Sequence, residues 1–391
     1  MDGGRDSAPV PDALAPPPHH PRYPLLDGMR AIAVLCVVGV HVGVFGVVGG
    51  SLFGKLVLHL NIGVTIFFLI SGFLLYRPFI AGRTGGAEAP AIGVYARRRV
   101  LRIVPAYWLV LIVLILLPGV TAVPGGGGLE QFALVHALPI GAGPDCIRAA
   151  SDCGLAQTWS LVVEFTFYAL LPFYVLVAAR LARGRTTASW LRAELLLLGG
   201  LTIVSLLLHF GIDGTRESMV VTGSLLGYAF WFALGMALAL VSVAIADRER
   251  PPRAVAAIAS RPGVSWLAAA MIYVALSLAL PATPYLVTAG DQFVAHIAFG
   301  VISLLLMLPA VFAGASPGVP RTVLSNPVVA WLGLISYGIF LWHYVVTIEL
   351  GLPGEGWSFL PLLIATLAIS IPIAAASYYL LERPLLRFKY R

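Results

Sequence analysis

Apolar residues run along this chain in long stretches that break where charged residues, glycines and prolines cluster. A helix needs roughly 20 apolar residues to cross about 30 Å of hydrocarbon. Cutting the chain at those clusters leaves ten such segments, near residues 27–48, 56–78, 103–120, 158–180, 193–212, 225–246, 264–282, 291–312, 327–349 and 359–381. The pattern predicts an all-α, polytopic membrane protein with about ten transmembrane helices.

Composition strengthens this reading. Of 391 residues, 59% are hydrophobic and 11% charged, with mean hydropathy +0.92, more apolar surface than one soluble core can hide. A separate soluble domain needs a polar stretch of about 50 residues or more. The polar stretches here are far shorter, so one membrane domain over 25–391 is expected. Residues 1–24 are proline-rich and lack the apolar core of a signal peptide, and are expected to form a disordered cytoplasmic tail.

Charge then orients the spans, because cytoplasmic connections collect Lys and Arg. With both termini cytoplasmic, the inner segments hold 22 of the 25 basic residues, and the outer loops keep only Lys55, Arg148 and Arg216. That asymmetry favours an even number of spans, cytoplasmic termini and a multi-pass plasma-membrane location. The net charge of +7 is therefore a topology signal. Nucleic-acid binding is excluded, since the arginines flank spans instead of forming one basic groove. Cys36 reads as packing within the first span. Cys146 and Cys153 share the outer loop before the fourth span, where a disulfide is expected and a metal pair is the weaker reading. Phe132, Leu134 and Leu138 in that loop suit a short surface or re-entrant helix.

Polar groups inside the spans carry the chemistry, because each is expensive in hydrocarbon. Glu164 is the one carboxylate well inside a span; Asp27, Glu194, Asp291, Glu349 and Glu382 fall at span ends. At 1.5 Å per residue His41 lies roughly 20 Å from the cytoplasmic face and Glu164 roughly 9 Å below the outer one, with His296 and His343 at a similar outer depth. Arg30 precedes His41 by eleven residues, which puts both on one helix face roughly 16 Å apart. Structural readings stand beside the functional ones: Glu164 as a pin between helices, the histidines as packing, the arginines as topology alone.

"LDGMRAIAVLCVVGVH" resembles the opening motif of the acyltransferase family 3 of integral membrane acyltransferases, an Arg or Lys followed after ten residues by His. The likeness continues through "IFFLISGFLL", "RRRVLRIVPAYW" with its Arg99-x-x-Arg102 pair, "QTWSLVVEFTFYALLPF", "ISYGIFLWHYVV" and "YYLLERPL", from about residue 23 to 390. It implies transfer of a short acyl group from cytoplasmic acyl-CoA, acetyl-CoA foremost, to a hydroxyl of a glycan, macrolide or glycolipid, without a metal. It also implies that His41 is the catalytic base. Some members add an extracytoplasmic hydrolase-like domain, which is not expected here. A carboxylate on the second ring nitrogen would orient such a base, and Glu164 is the candidate, with His343 its rival. Arg99 and Arg102, one turn apart, would take the donor's phosphates, with Arg30 as a third contact. Glu382 in "ERPL" would pair with an arginine. Two other classes stay open: a proton-coupled secondary transporter using His41, Glu164, His296 and His343 as its path, and a catalytically inactive membrane scaffold.

Overall fold

The computed structural model describes residues 23–46, 48, 51–84, 89–117, 128–135, 155–210, 221–246, 252–283, 288–312, 318–351 and 356–390. Among them the regular structure is helical, with no strand. In chain order the helices are α1 (Leu25–Phe45), α2 (Leu52–Leu58), α3 (Ile62–Arg83), α4 (Ile92–Leu116), α5 (Gly128–Phe132), α6 (Trp159–Ala182), α7 (Thr187–Phe210) and α8 (Ala229–Ala244). They continue with α9 (Arg253–Ser260), α10 (Pro262–Ala279), α11 (Ala289–Val311), α12 (Gly318–Leu324), α13 (Pro327–Leu334), α14 (Ser336–Gly351) and α15 (Phe359–Ser377). Eight helical runs among the described residues are long and apolar enough to cross a membrane, and the α13–α14 pair, bent by 72°, makes a ninth if it is one span. The described residues of each of the ten apolar segments are thus mainly helical, and the protein is an all-α, polytopic membrane protein. The sixth segment is the short one: α8 has 16 residues, roughly 24 Å of helix.

Three boundaries move in ways that matter for the site. The second segment is a short helix and a turn before α3 proper. The third begins at Ile92 instead of 103, so the arginine run of α4 is helical and packed. The ninth breaks between Leu334 and Ser336. Residues 1–22, Leu138, Cys146 and Cys153 lie outside the described residues, and with them the disordered tail and the disulfide expected from the sequence.

α1 is the axis of the bundle: Met29, Ala31, Ala33, Val34, Val38 and Val42 are fully buried, and its neighbours include α3, α13, α14 and α15. One close crossing is between α3 and α8. A Cβ on Gly235 would lie 2.1 Å from the Leu69 carbonyl oxygen, and one on Gly72 would lie 2.4 Å from that of Phe232. Small residues let helix backbones approach closely in a membrane, where lipid supplies no hydrophobic drive. Phe232 then stacks on Phe68 of α3 and Phe167 of α6, at 4.6 and 4.2 Å between ring centres.

Charged side chains at helix ends do structural work. Arg83 donates to Glu194 at 3.2 Å and to the Val175 carbonyl at 2.8 Å, joining α3, α6 and α7. Arg321 donates to the carbonyls of Ala259 and Phe312 at 3.0 and 2.8 Å, closing the end of α11.

Candidate active site

His41 sits about three-quarters of the way along α1, half-buried, and His343 is fully buried on α14. The two rings meet: His41 Nδ1 lies 3.0 Å from His343 Nε2, and the Tyr344 ring packs edge-on against His41 at 5.0 Å. The direction of the hydrogen bond follows from the next link. His343 Nδ1 is 2.9 Å from the Ile339 carbonyl, one helical turn back, and a carbonyl only accepts. His343 therefore carries its proton on Nδ1, and in the neutral ring Nε2 is an acceptor. His41 must donate Nδ1–H to it, which leaves the lone pair of His41 on Nε2. That atom has no protein hydrogen bond and is not among the sealed, unpartnered atoms of the described residues. An imidazole held in this tautomer with Nε2 open is prepared to take a proton.

Glu164 does not reach this pair. Its Oε1 accepts from the Ser71 hydroxyl of α3 and from Tyr168 Oη, one turn on in α6, at 2.5 Å. The carboxylate expected to orient His41 is thus engaged elsewhere, and His343 occupies that place. Two further groups adjoin Tyr168: Tyr95 Oη donates to its carbonyl at 3.1 Å, and the Arg99 guanidinium lies 5.7 Å from its ring centre.

The arginines separate. Arg99 and Arg102 share a face of α4, but Arg99 meets the middle of α6, deeper than a cytoplasmic mouth would place it. Its Nε is buried without a hydrogen-bond partner. Arg102 pairs with Glu382 at 3.8 Å, the ion pair expected for "ERPL". Glu382 is 2% exposed, ends the π-helical turn Tyr378–Glu382 after α15, and has no hydrogen bond on either oxygen. Such turns concentrate at functional sites. Arg30 instead pairs with Asp27 in its own helix, at 2.8 Å.

One stripe of α14 connects the two regions. Tyr337 and Tyr344 are two turns apart on the same face, roughly 10 Å along the axis. Tyr344 touches His41, whereas Tyr337 donates to the Ile103 carbonyl at 2.9 Å and stands within electrostatic reach of Arg102, Glu382 and Glu164. His296 belongs to neither region. It stacks on His209 at 3.8 Å and on Trp231 at 4.5 Å, and His209 Nδ1 donates to the Ser205 carbonyl at 3.0 Å. The four titratable groups that share a layer in the sequence thus divide into three separate clusters. Among the described residues no three His, Cys, Asp or Glu side chains gather in a way that could hold a metal ion.

Sequence reasoning passed over Ser71, Tyr168, Tyr337 and Tyr344. Tyr168 was within reach, since i and i+4 on a helix are neighbours and Glu164 needs a donor. Ser71 comes from another helix, and nothing in its local sequence marks it.

Helices that span a membrane around a half-buried imidazole with an open nitrogen define a polytopic membrane protein equipped for acid–base chemistry. Residues 23–379 match the model of acyltransferase family 3, described as an acyltransferase domain, and the chain belongs to that family. It is 26% identical over 387 residues to the protein named "Putative peptidoglycan O-acetyltransferase YrhL" of Bacillus subtilis, covering 94% of this chain and 55% of the relative. The "Peptidoglycan O-acetyltransferase OatA" of Listeria monocytogenes is 26% identical over 342 residues, 83% of this chain and 49% of that one. The chain thus spans about half the length of the curated relatives it matches. No solved structure matches it.

Proposed function

We propose that this protein is an O-acyltransferase of the plasma membrane that moves a short acyl group, acetyl foremost, from cytoplasmic acyl-CoA to a hydroxyl of an extracytoplasmic glycan, macrolide or glycolipid. The observation that carries this reading is the hydrogen-bonded chain from His41 Nδ1 through His343 to the Ile339 carbonyl, which leaves His41 Nε2 as the base. In the reaction the acceptor hydroxyl gives its proton to His41 Nε2 as its oxygen attacks the thioester carbonyl carbon. The C–S bond then breaks, and the leaving thiolate recovers the proton from His41. His343 is a positioning residue here: its Nε2 fixes the His41 tautomer and accepts from the imidazolium that forms, the task a carboxylate performs in a hydrolytic triad. Arg99 and Arg102 suit the donor's phosphates, because guanidinium forms charge-assisted bonds to phosphate. Arg30, tied to Asp27, has a lesser part.

Relatives named as peptidoglycan O-acetyltransferases support a glycan as the acceptor class. The test is turnover of radiolabelled acetyl-CoA and other short acyl-CoAs by membranes containing the protein, with peptidoglycan fragments, macrolides and glycolipids as acceptors. Transfer to one acceptor class, abolished by His41→Ala, is the expected result. Proton flux in purified vesicles without acyl transfer would refute the reading in favour of a transporter.

A further inference from the structure

Glu164 is a membrane-embedded carboxylate without the ion pair that usually accompanies one. Both of its protein hydrogen bonds, from Ser71 and Tyr168, enter Oε1. The residue is only half-buried, and Oε2 has no protein partner and is not sealed among the described residues. Two hydroxyls from two helices therefore hold the carboxylate still through Oε1 and leave Oε2 free of protein partners and unsealed. Fixing it this way offsets part of the cost of a carboxylate in hydrocarbon and is more than a helix pin needs, since a pin would use both oxygens on protein.

The neighbours of the carboxylate bound what that oxygen could serve. Tyr168, which holds Oε1, stacks under the Arg99 guanidinium at 5.7 Å, and Tyr337, within electrostatic reach, belongs to the stripe of α14 that leads to Tyr344 and His41. Glu164 is thus beside the middle of the route from the guanidinium groups to the base. An acceptor-only oxygen there attracts N–H and O–H groups and repels anions. The donor segment that would lie between phosphates and thioester is the pantetheine arm, which is uncharged and carries two amide N–H groups and one hydroxyl. We propose that Glu164 is the specificity residue for that arm, accepting from its N–H or O–H donors through Oε2 and so selecting a pantetheine thioester over other phosphate-bearing ligands. The proposal rests on acyl-CoA being the donor.

Binding separates the arm from the phosphates without any need for the acceptor. Purified full-length protein in lipid nanodiscs is titrated with coenzyme A and with adenosine 3′,5′-bisphosphate, which has phosphates but no arm. Glu164→Gln is expected to weaken coenzyme A about tenfold or more and to change adenosine bisphosphate less than about twofold. Tyr168→Phe, which removes the hydroxyl aiming the carboxylate, should act in the same direction more weakly, and Arg99→Ala should weaken both ligands. Equal losses for both ligands in Glu164→Gln, or no loss for either, overturn the proposal while leaving the donor reading intact. Wild-type protein that binds no coenzyme A overturns both.

Discussion

At the scale of single residues, the direction of one hydrogen bond decides the chemistry. His41→Ala should lower acyl transfer roughly 100-fold or more, since a positioned base contributes at least that, with unchanged expression and thermal stability in detergent. His343 offers a sharper test. His343→Ala leaves His41 Nδ1–H without its acceptor and should cost at least about tenfold, with a changed pH profile for transfer. His343→Gln, whose amide oxygen can accept from Nδ1–H, should recover part of that loss. A His343→Ala variant with a wild-type rate and pH profile would remove His343 from the site. The sequence exposed His41 because a polar side chain so deep in an apolar run is costly. It left Glu164 and His343 as rivals because depth along a helix places residues in a layer without saying which sides face each other. The answer came from helix rotation: α14 turns His343 toward α1, whereas α6 turns Glu164 toward Ser71 of α3.

At the scale of elements, hydropathy located the long apolar helices and misjudged the ends that matter most. Arginines look like a boundary, so a span read from apolar residues starts after Arg102. In the folded protein the helix starts at Ile92, and the charges of α4 meet partners on α6 and beside α15 that no local pattern reveals. Arg99→Ala with Arg102→Ala should therefore weaken acyl-CoA binding, each charge-assisted contact contributing on the order of 1.5–3 kcal/mol. Unchanged affinity at both low and high salt would return these arginines to topology alone. The α3–α8 crossing makes a separate prediction about stability. Gly235→Val forces side-chain atoms onto the Leu69 carbonyl and should cost about 1–3 kcal/mol or more. Gly200→Val on α7, whose added Cβ meets nothing within 4 Å, is the neutral control. Equal thermal midpoints for the two variants would show that this crossing does not set the packing.

At the scale of the whole molecule, the question is how substrates from opposite sides meet. Acyl-CoA, the proposed donor, carries phosphates and cannot cross the bilayer unaided, and the proposed orientation, with both ends inside, rests on the 22 of 25 basic residues that it places on the cytoplasmic side. That orientation puts Arg30 at the inner end of α1 and His41 in its outer part, with Arg99 drawn in to the middle of α6. In the proposed reaction the acyl end of the donor would reach the base by extending outward through the bundle, along the tyrosine stripe of α14, and the acceptor hydroxyl would meet it from outside. Sealed vesicles of known sidedness test this. Acetyl-CoA supplied to the cytoplasmic face should support transfer, and acetyl-CoA supplied only to the outer face should not. In a cysteine-free background Lys55→Cys should react with an impermeant maleimide only from outside, and Arg253→Cys only from inside. Labelling in the opposite sense would reverse the topology, and equal transfer from either face would mean that the donor does not thread the protein from the cytoplasm.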